Sequence, residues 1–247
     1  MLKVMSLNVM CWEKEPYALF ENRRPLIKKA VSESGPDVIV FQEVKPCWTE
    51  WFESDLKGYE NYTVYRDESR PEGTPIYWNP QKVKKLECGH FWLSETPETE
   101  SIGWDAACKR TALWALFEVI ESGKKFVFVN THLDHVGREA QINGIKLITD
   151  FVKQNFAETS LVLTGDFNAT PDSQVIGLTN EILVDARTVC GITEFEPTYH
   201  GFSDRGIVID YIYLSRDIKC TGFETIKTEK DGTILSDHYG LVAGIEF

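Results

Sequence analysis

The chain has 247 residues, of which 43% are hydrophobic and 26% charged. That is the composition of a soluble globular protein, long enough to bury a sizeable core and better suited to one large α/β domain, 1–247, than to two small ones. The formal net charge of −12 repels nucleic acid at long range and argues against tight duplex DNA binding, but leaves room for a locally basic groove or a substrate held through a metal ion.

The N-terminal stretch MLKVMSLNVM enters a strand pattern at once, over 2–9. It has no charged leader, apolar core or small-residue cleavage site, so no secretion signal is expected and a cytoplasmic location is. Apolar residues at 26, 27, 30 and 31, with Pro25 near the start and Gly35 at the stop, predict a helix over 22–34. The basic run ENRRPLIKK on that helix reads as its solvated face. PDVIVFQEV then reads as a buried strand. Trp48, Trp51, Phe52 and Leu56 share one face of a second helix that Gly58 stops.

From about 62 to 131 the pattern turns to strands: NYTVYR, TPIYW, KKLECGHFWL, TALWALFEVI and KKFVFVNTHL. A long loop over 94–109 interrupts them, and loops of that length in compact domains are often functional. Ile142, Ile145, Ile148, Val152 and Phe156 predict an amphipathic helix over 137–156. The remainder is again strand-rich: LVLTGD, IVIDYIYL, IKCTGFETI and GLVAGIEF. Strands outnumber helices, and many are continuous apolar runs covered on both faces. Two packed sheets with helices outside both is the expected solution. The longest apolar runs, such as FVFV and VIVF, are far too short to span a bilayer. Cys11, Cys47, Cys88, Cys108, Cys190 and Cys220 are scattered with no CxxC pair, so free thiols are expected rather than a structural zinc site.

Six apolar strands carry polar residues at their ends or within them. VIVFQEV ends in Gln42 and Glu43. FVFVNTHLDH ends in Asn130, His132, Asp134 and His135. LVLTGDFN brings Asp166 and Asn168, IVIDYIYL contains Asp210, ILSDHYG contains Asp237 and His238, and MSLNVM contains Asn8. Each has an ordinary explanation alone, since Asp and Asn form turns and a histidine is often a core residue. Burying one lone carboxylate costs several kcal/mol, so this many make sense together only if they satisfy one another or a cation. Asp210 has apolar flanks on both sides, should be buried and needs a partner, with a histidine as the obvious candidate.

These motifs, in order over nearly the whole chain, resemble the endonuclease/exonuclease/phosphatase superfamily: LN at Asn8, QE at Glu43, THLD at His132 and Asp134, GDFN at Asp166 and Asn168, IDYI at Asp210, and SDH at Asp237 and His238. The stretches PIYW, FWLSETPE, GWDAACKR, LWALFE and THLDHVG look like a bacterial group nearer the deadenylase and nocturnin branch than the abasic-site endonucleases. Met10 stands where the abasic-site and deoxyribonuclease branches tend to have a polar residue.

The resemblance implies a four-layer α-β-β-α sandwich of two mixed, mainly antiparallel sheets, and Mg²⁺- or Mn²⁺-dependent hydrolysis of a phosphoester by an activated water. Glu43 and Asp237 are then metal ligands. Asp166 orients and deprotonates the water, and Asn168 and Asn8 hydrogen-bond the nucleophile, phosphate or metal waters. His238, held by Asp210, contacts a phosphoryl oxygen, and His132 donates to another. Glycine at 165 lets the backbone turn so that Asp166 and Asn168 point into one pocket. Arg110 is either a bidentate phosphate contact or a surface strand-end arginine. In the long loop, Trp104 and Asp105 shape the substrate pocket, with Trp104 stacking on a base or sugar or else covering the core. Asp134 is placed with the substrate-binding residues, and Tyr199, His200 and Phe202 are placed as a pocket wall.

Three functional readings follow. One is a phosphatase or phosphodiesterase acting on a phosphorylated small molecule. Another is a 3′ exonuclease of the deadenylase kind on single-stranded RNA, which would need stacking aromatics and some Lys or Arg in a groove. The third is a catalytically silent binding module, against which the intact set of acids and histidines argues. The negative total charge favours the small or metal-screened substrate.

Overall fold

Along the central strands, alternate side chains point to opposite faces, and both faces are buried. In the computed structural model, which describes residues 1–12, 19–203, 205–230 and 232–247, the elements in chain order are β1 (Leu2–Asn8), α1 (Phe20–Ser34), β2 (Val38–Gln42), α2 (Pro46–Asp55), β3 (Glu60–Tyr62), β4 (Ile76–Trp78), β5 (Val83–Trp92), β6 (Thr111–Val119), β7 (Lys125–His132), α3 (Arg138–Asn155), β8 (Ser160–Asp166), α4 (Gln174–Ile182), β9 (Val184–Asp185), α5 (Ala186–Val189), β10 (Asp210–Leu214), β11 (Lys219–Ile226), β12 (Glu229–Lys230), β13 (Thr233–Ile234) and β14 (Gly240–Glu246). One six-stranded sheet has the order β11-β14-β1-β2-β4-β3 and the other β5-β6-β7-β8-β10-β9. Each has a single parallel pair, β1 with β2 and β7 with β8, and is otherwise antiparallel.

Three apolar clusters hold four layers together. Between the sheets, Val4, Val40, Phe128, Val162, Ile212 and Ala243 interdigitate. The opposite side chains of the first sheet, Met5, Leu7, Ile39 and Phe41, pack under Ile27 of α1 and Phe52 of α2. Those of the second sheet, Val127, Val129, Leu163 and Tyr211, pack under Ile145 and Ile148 of α3 and Ile176 of α4. Double-sided burial is why these strands read as unbroken apolar runs. The sandwich expected from the sequence is the architecture observed.

The local differences have physical causes. Helix α1 begins at Phe20, two residues earlier than its apolar spacing predicts, and ends where Gly35 takes the left-handed conformation at φ 57°. Its basic run is not all solvated. Arg23 lies on the buried face with Leu26, Ile27, Ala30 and Val31, and is fully buried. It donates to the carbonyls of Val9 and Met10, with its guanidinium 5.0 Å from the Trp48 ring centroid. Helix α4 was not foreseen. Ser173 caps it by accepting from Ile176 N. Of the predicted strand NYTVYR only the start pairs regularly, because a turn closed by Arg66 N–H donating to Glu72 O carries Arg66 away from the sheet.

Candidate active site

The inward-facing positions of the paired strands change character toward one end of the sandwich. Below the end lies a polar layer. Gln42 Nε2 donates to Asn130 Oδ1 across the sheets at 2.8 Å, and Asn130 Nδ2 donates to the carbonyls of Phe41 and Thr74, both at 2.9 Å. Asn8 closes that layer beside Gln42, and one step further along the facing sheet come His132, Asp166 and Asp210. Register aligns these, with Asp166 flanked by His132 on one side and Asp210 on the other. A side-chain period of two therefore delivers four polar groups to one place from strands far apart in sequence.

Asp166 is the hub. Its Oδ2 accepts from Asn8 Nδ2 at 3.0 Å and lies 3.5 Å from His132 Nε2 and 3.7 Å from His238 Nε2. Its Oδ1 accepts from the backbone of Asn168 at 2.9 Å. His238 Nδ1 is 2.9 Å from Asp210 Oδ2, and Asp210 is buried behind it. Asn8 also donates to Glu43 Oε1 at 3.2 Å, while its Oδ1 accepts from Met10 N. Its amide thus joins the two carboxylates. Asn168 Nδ2 donates to Leu133 O at 3.0 Å, leaving its Oδ1 for the cavity. Ser236 Oγ donates to Asn8 O and lies 3.2 Å from Asp237 Oδ1, tying the start of the last strand to the first.

Burial and mutual charge tune these groups apart. Burial and the nearby Asp210 charge raise the Asp166 pKa, against the opposing pull of His238 and of hydrogen bonds from Asn168 and Asn8. Burial works against the charged form of His238, but Asp210, Asp166 and Asp237 outweigh it and push its pKa up to about 10. Burial, with Arg110 and Arg66 nearby, drives His132 well below the ordinary histidine value and so keeps it neutral. Burial works against ionisation of Glu43, yet hydrogen bonds from Cys11 prevail and its pKa falls. Burial and the Glu43 charge raise Asp237. The site therefore holds one neutral imidazole, one imidazolium and a carboxylate of raised basicity within a few ångströms.

The backbone is constrained at the same strand ends. Met10, Glu43 and Asn168 have φ of 53°, 61° and 48°, a region that costs non-glycine residues on the order of 1 kcal/mol or more. Gly165 has φ 141°, and a Cβ there would meet Thr131 O of the neighbouring strand at 1.9 Å. Its role is close approach of β8 to β7 as much as a turn.

These groups open into a cavity of about 510 Å³ whose lining includes Glu43, His132, Asp166, Asn168, Asp237 and His238. The same lining carries Arg66, Arg110, His135 and Arg138, with Glu72 paired to Arg66. Arg110 is buried rather than a surface strand end. Several predicted residues lie elsewhere. Asp134 does not line the cavity. It is buried and accepts from the backbone of Ala107, Cys108, Val136 and Gly137 at 2.8–3.3 Å, clamping the long loop. Asp105 caps α3 from outside, accepting from Ala140 N at 2.7 Å. Trp104 also lies outside the lining, its backbone N–H donating to the Glu95 carboxylate. Tyr199 does line the cavity, with its ring 4.8 Å from that of His238, whereas His200 and Phe202 face a neighbouring hollow. His200 supports the His238 segment, its Nε2 3.1 Å from Ser236 O.

Arg66, Arg138 and the exposed Trp12 at the cavity mouth went unrecognised in the sequence. Arg66 and Trp12 sit in irregular stretches with no periodicity to mark them, and Arg138 reads as an ordinary first-turn helix residue.

Glu43, Asp166, Asp210 and Asp237 face one imidazolium, so the pocket carries surplus negative charge. Ligand atoms of Asp166, Asp210 and His238 lie within 4.8 Å of one another, but a His238 imidazolium has no lone pair for a cation, which leaves the carboxylates as the donors. Hard oxygen donors in a partly hydrated cleft fit Mg²⁺ or Mn²⁺. Cys108, Asp134 and His135 also converge within 4.8 Å, but the Arg110 guanidinium stands beside both Asp134 and His135 and disfavours a cation there.

No helix among the described residues is long and apolar enough to cross a membrane, and none of the six cysteines is in a disulfide. The structure is similar to that of an endonuclease/exonuclease/phosphatase protein from Bacteroides vulgatus, with TM-score 0.92, 27% identity and coverage of 99% of this chain and 98% of that one. It is also similar to the mannosyl-6-phosphatase of Bacteroides thetaiotaomicron, with TM-score 0.88, 25% identity and coverage of 100% of both chains. In sequence, Nocturnin of Drosophila melanogaster is 29% identical over 169 residues, 62% of this chain but only 24% of that protein. The sequence model of the Endonuclease/Exonuclease/phosphatase family matches residues 16–238, and with the fold and strand-end cluster described above the chain belongs to that family.

Proposed function

We propose that this protein is a divalent-metal-dependent phosphoester hydrolase that cleaves a phosphorylated small molecule by water attack. The observation that carries the reading is the position of Asp166, a buried carboxylate of raised pKa set between a neutral histidine and an imidazolium and facing the cavity. Such a carboxylate is suited to take a proton from water near neutral pH. Asn168 Oδ1 accepts from the same water and fixes its orientation. His238, kept protonated by Asp210, donates from Nε2 to a phosphoryl oxygen as charge builds on it, and His132 donates to another. Glu43 and Asp237 would hold Mg²⁺ or Mn²⁺, which when bound polarises the phosphoryl group.

The mannosyl-6-phosphatase likeness and the net charge of −12 favour a small phosphorylated substrate over a polymer. A 3′ exonuclease of the deadenylase kind is the second reading. It is favoured by the Nocturnin likeness and by Trp12, 58% exposed at the cavity mouth where a base would stack.

The test is hydrolysis of p-nitrophenyl phosphate, bis(p-nitrophenyl) phosphate and a 5′-labelled, adenosine-tailed RNA, each with Mg²⁺, with chelator, and with Asp166→Asn. Metal-dependent turnover that falls on the order of 10³-fold in the variant, about 4 kcal/mol of barrier, is expected. Near-wild-type turnover in Asp166→Asn removes Asp166 from the mechanism, and cleavage of the RNA alone makes the exonuclease the better reading.

A further inference from the structure

The arginines of the cavity are not saturated by their neighbours. Arg110 is 5% exposed, yet among the described residues its Nε and Nη1 make no hydrogen bond. Its Nη2 is 3.2 Å from His135 Nδ1. The carboxylate beside it, Asp134, has its Oδ2 3.7 Å from Arg110 Nε and already accepts four backbone N–H groups. Arg66 uses Nη1 on Lys109 O and Nη2 on Glu72, both at 2.8 Å, and leaves a buried Nε without a hydrogen bond. Arg138, exposed on the first turn of α3, reaches only Gln141 at 3.5 Å. Three guanidiniums thus line the cavity, and Arg110 and Arg66 keep unused N–H groups after their neighbouring carboxylates, Asp134 and Glu72, are counted. A buried cation short of hydrogen bonds is unfavourable until an anion completes it.

Place decides which anion. Arg110 immediately precedes β6, which is separated by β7 from β8 and its Asp166. Two strand spacings amount to about 10 Å. The acidic half, with Asp166, Asn168 and His238, is where the cleaved phosphoester sits. We propose that the arginine wall is a second anion subsite, and that the substrate is a small molecule carrying a second phosphate besides the one removed. A cavity of about 510 Å³ holds a molecule of that size. The choice of a bisphosphorylated substrate rests on the hydrolase reading above, but the anion subsite does not.

The experiment separates the two. In chelator the acidic half repels anions, so phosphate binding there reports on the arginine wall alone. Inorganic phosphate is titrated calorimetrically in chelator into the wild type, Arg138→Gln and Arg110→Met. Arg138 is exposed, so its variant keeps the test valid if Arg110→Met fails to fold. A Kd of about 1 mM or tighter, weakened at least about tenfold by Arg138→Gln, is expected. With Mg²⁺, kcat/KM for fructose 1,6-bisphosphate should exceed that for fructose 6-phosphate at least about tenfold, and the ratio should fall toward one in Arg138→Gln. No phosphate binding in chelator, or binding indifferent to Arg138→Gln, overturns the subsite. Equal kcat/KM for the two sugars overturns its role in substrate choice. Arginine-dependent binding with neither sugar cleaved under Mg²⁺ upholds the subsite and counts against the hydrolase reading.

Discussion

Replacing Asp210 by asparagine removes a charge and almost no volume. Asp210 Oδ2 lies 2.9 Å from His238 Nδ1, and both residues are buried. At an effective dielectric of about 20, opposite unit charges at that distance attract by about 6 kcal/mol, equivalent to about four pK units. In the metal-free wild type, His238 should hold its proton until the pH rises through about 10. In Asp210→Asn it should titrate about four units lower and be neutral at pH 7. Two-dimensional NMR of the imidazole nitrogens in metal-free protein measures this directly. If His238 donates from Nε2 in the reaction, kcat should fall by on the order of 10²–10⁴. By linkage the same shift should cost a few kcal/mol of stability at pH 7, offset in part by relief of the Asp210–Asp166 repulsion. An unshifted His238 titration, or a turnover loss matched by an equal loss of folded protein, would refute the reasoning.

Asp134 supplies an acid-stability prediction. Burial opposes its ionisation, but the backbone N–H groups of Gly137, Val136 and Ala107 and the Arg110 charge hold its pKa down at about 2. A depressed carboxylate stabilises the fold fully above its unfolded value near 3.9 and loses that contribution as pH falls through about 2. Asp134→Asn should therefore lose about 2 kcal/mol at pH 7, with the difference from wild type shrinking below pH 4 in denaturant melts. A pH-independent difference would place the effect elsewhere. Gly165→Ala should yield no stable fold, since its Cβ would lie 1.9 Å from a backbone oxygen at φ 141°; a melting temperature within a few degrees of wild type would contradict the β7–β8 geometry. Added Mn²⁺ at about a hundredfold its Kd should raise stability by about 2.7 kcal/mol, and Glu43→Gln should remove most of that gain. Equal stabilisation of wild type and variant in thermal melts would take Glu43 out of the binding set.

Much of this was legible before any coordinates. Strands buried on both faces show as unbroken apolar runs, so polar residues at their ends stand out, and Asn8, Glu43, His132, Asp166, Asn168, Asp210, Asp237 and His238 stand out for that reason. That Asp210 is buried and needs a partner follows from its apolar flanks, and the family resemblance names His238 as that partner. What the sequence left open is which polar residues share a cavity and which atoms each has free. THLD reads as one motif, yet His132 faces the cavity while Asp134, two residues on and past the strand end, turns into the loop. Asn8 is marked as polar, but only the approach of the two sheets joins its amide to both Glu43 and Asp166. Arg23 shares helical spacing with Leu26 and Ile27, and its burial becomes intelligible once the carbonyls of Val9 and Met10 are seen above it. The arginine wall is assembled from an irregular stretch, a strand start and a helix start, 28 positions or more apart in the chain. Periodicity is a local property and marks which face a residue takes. Convergence between distant segments is set by sheet register and loop path, and those exist only in the folded chain.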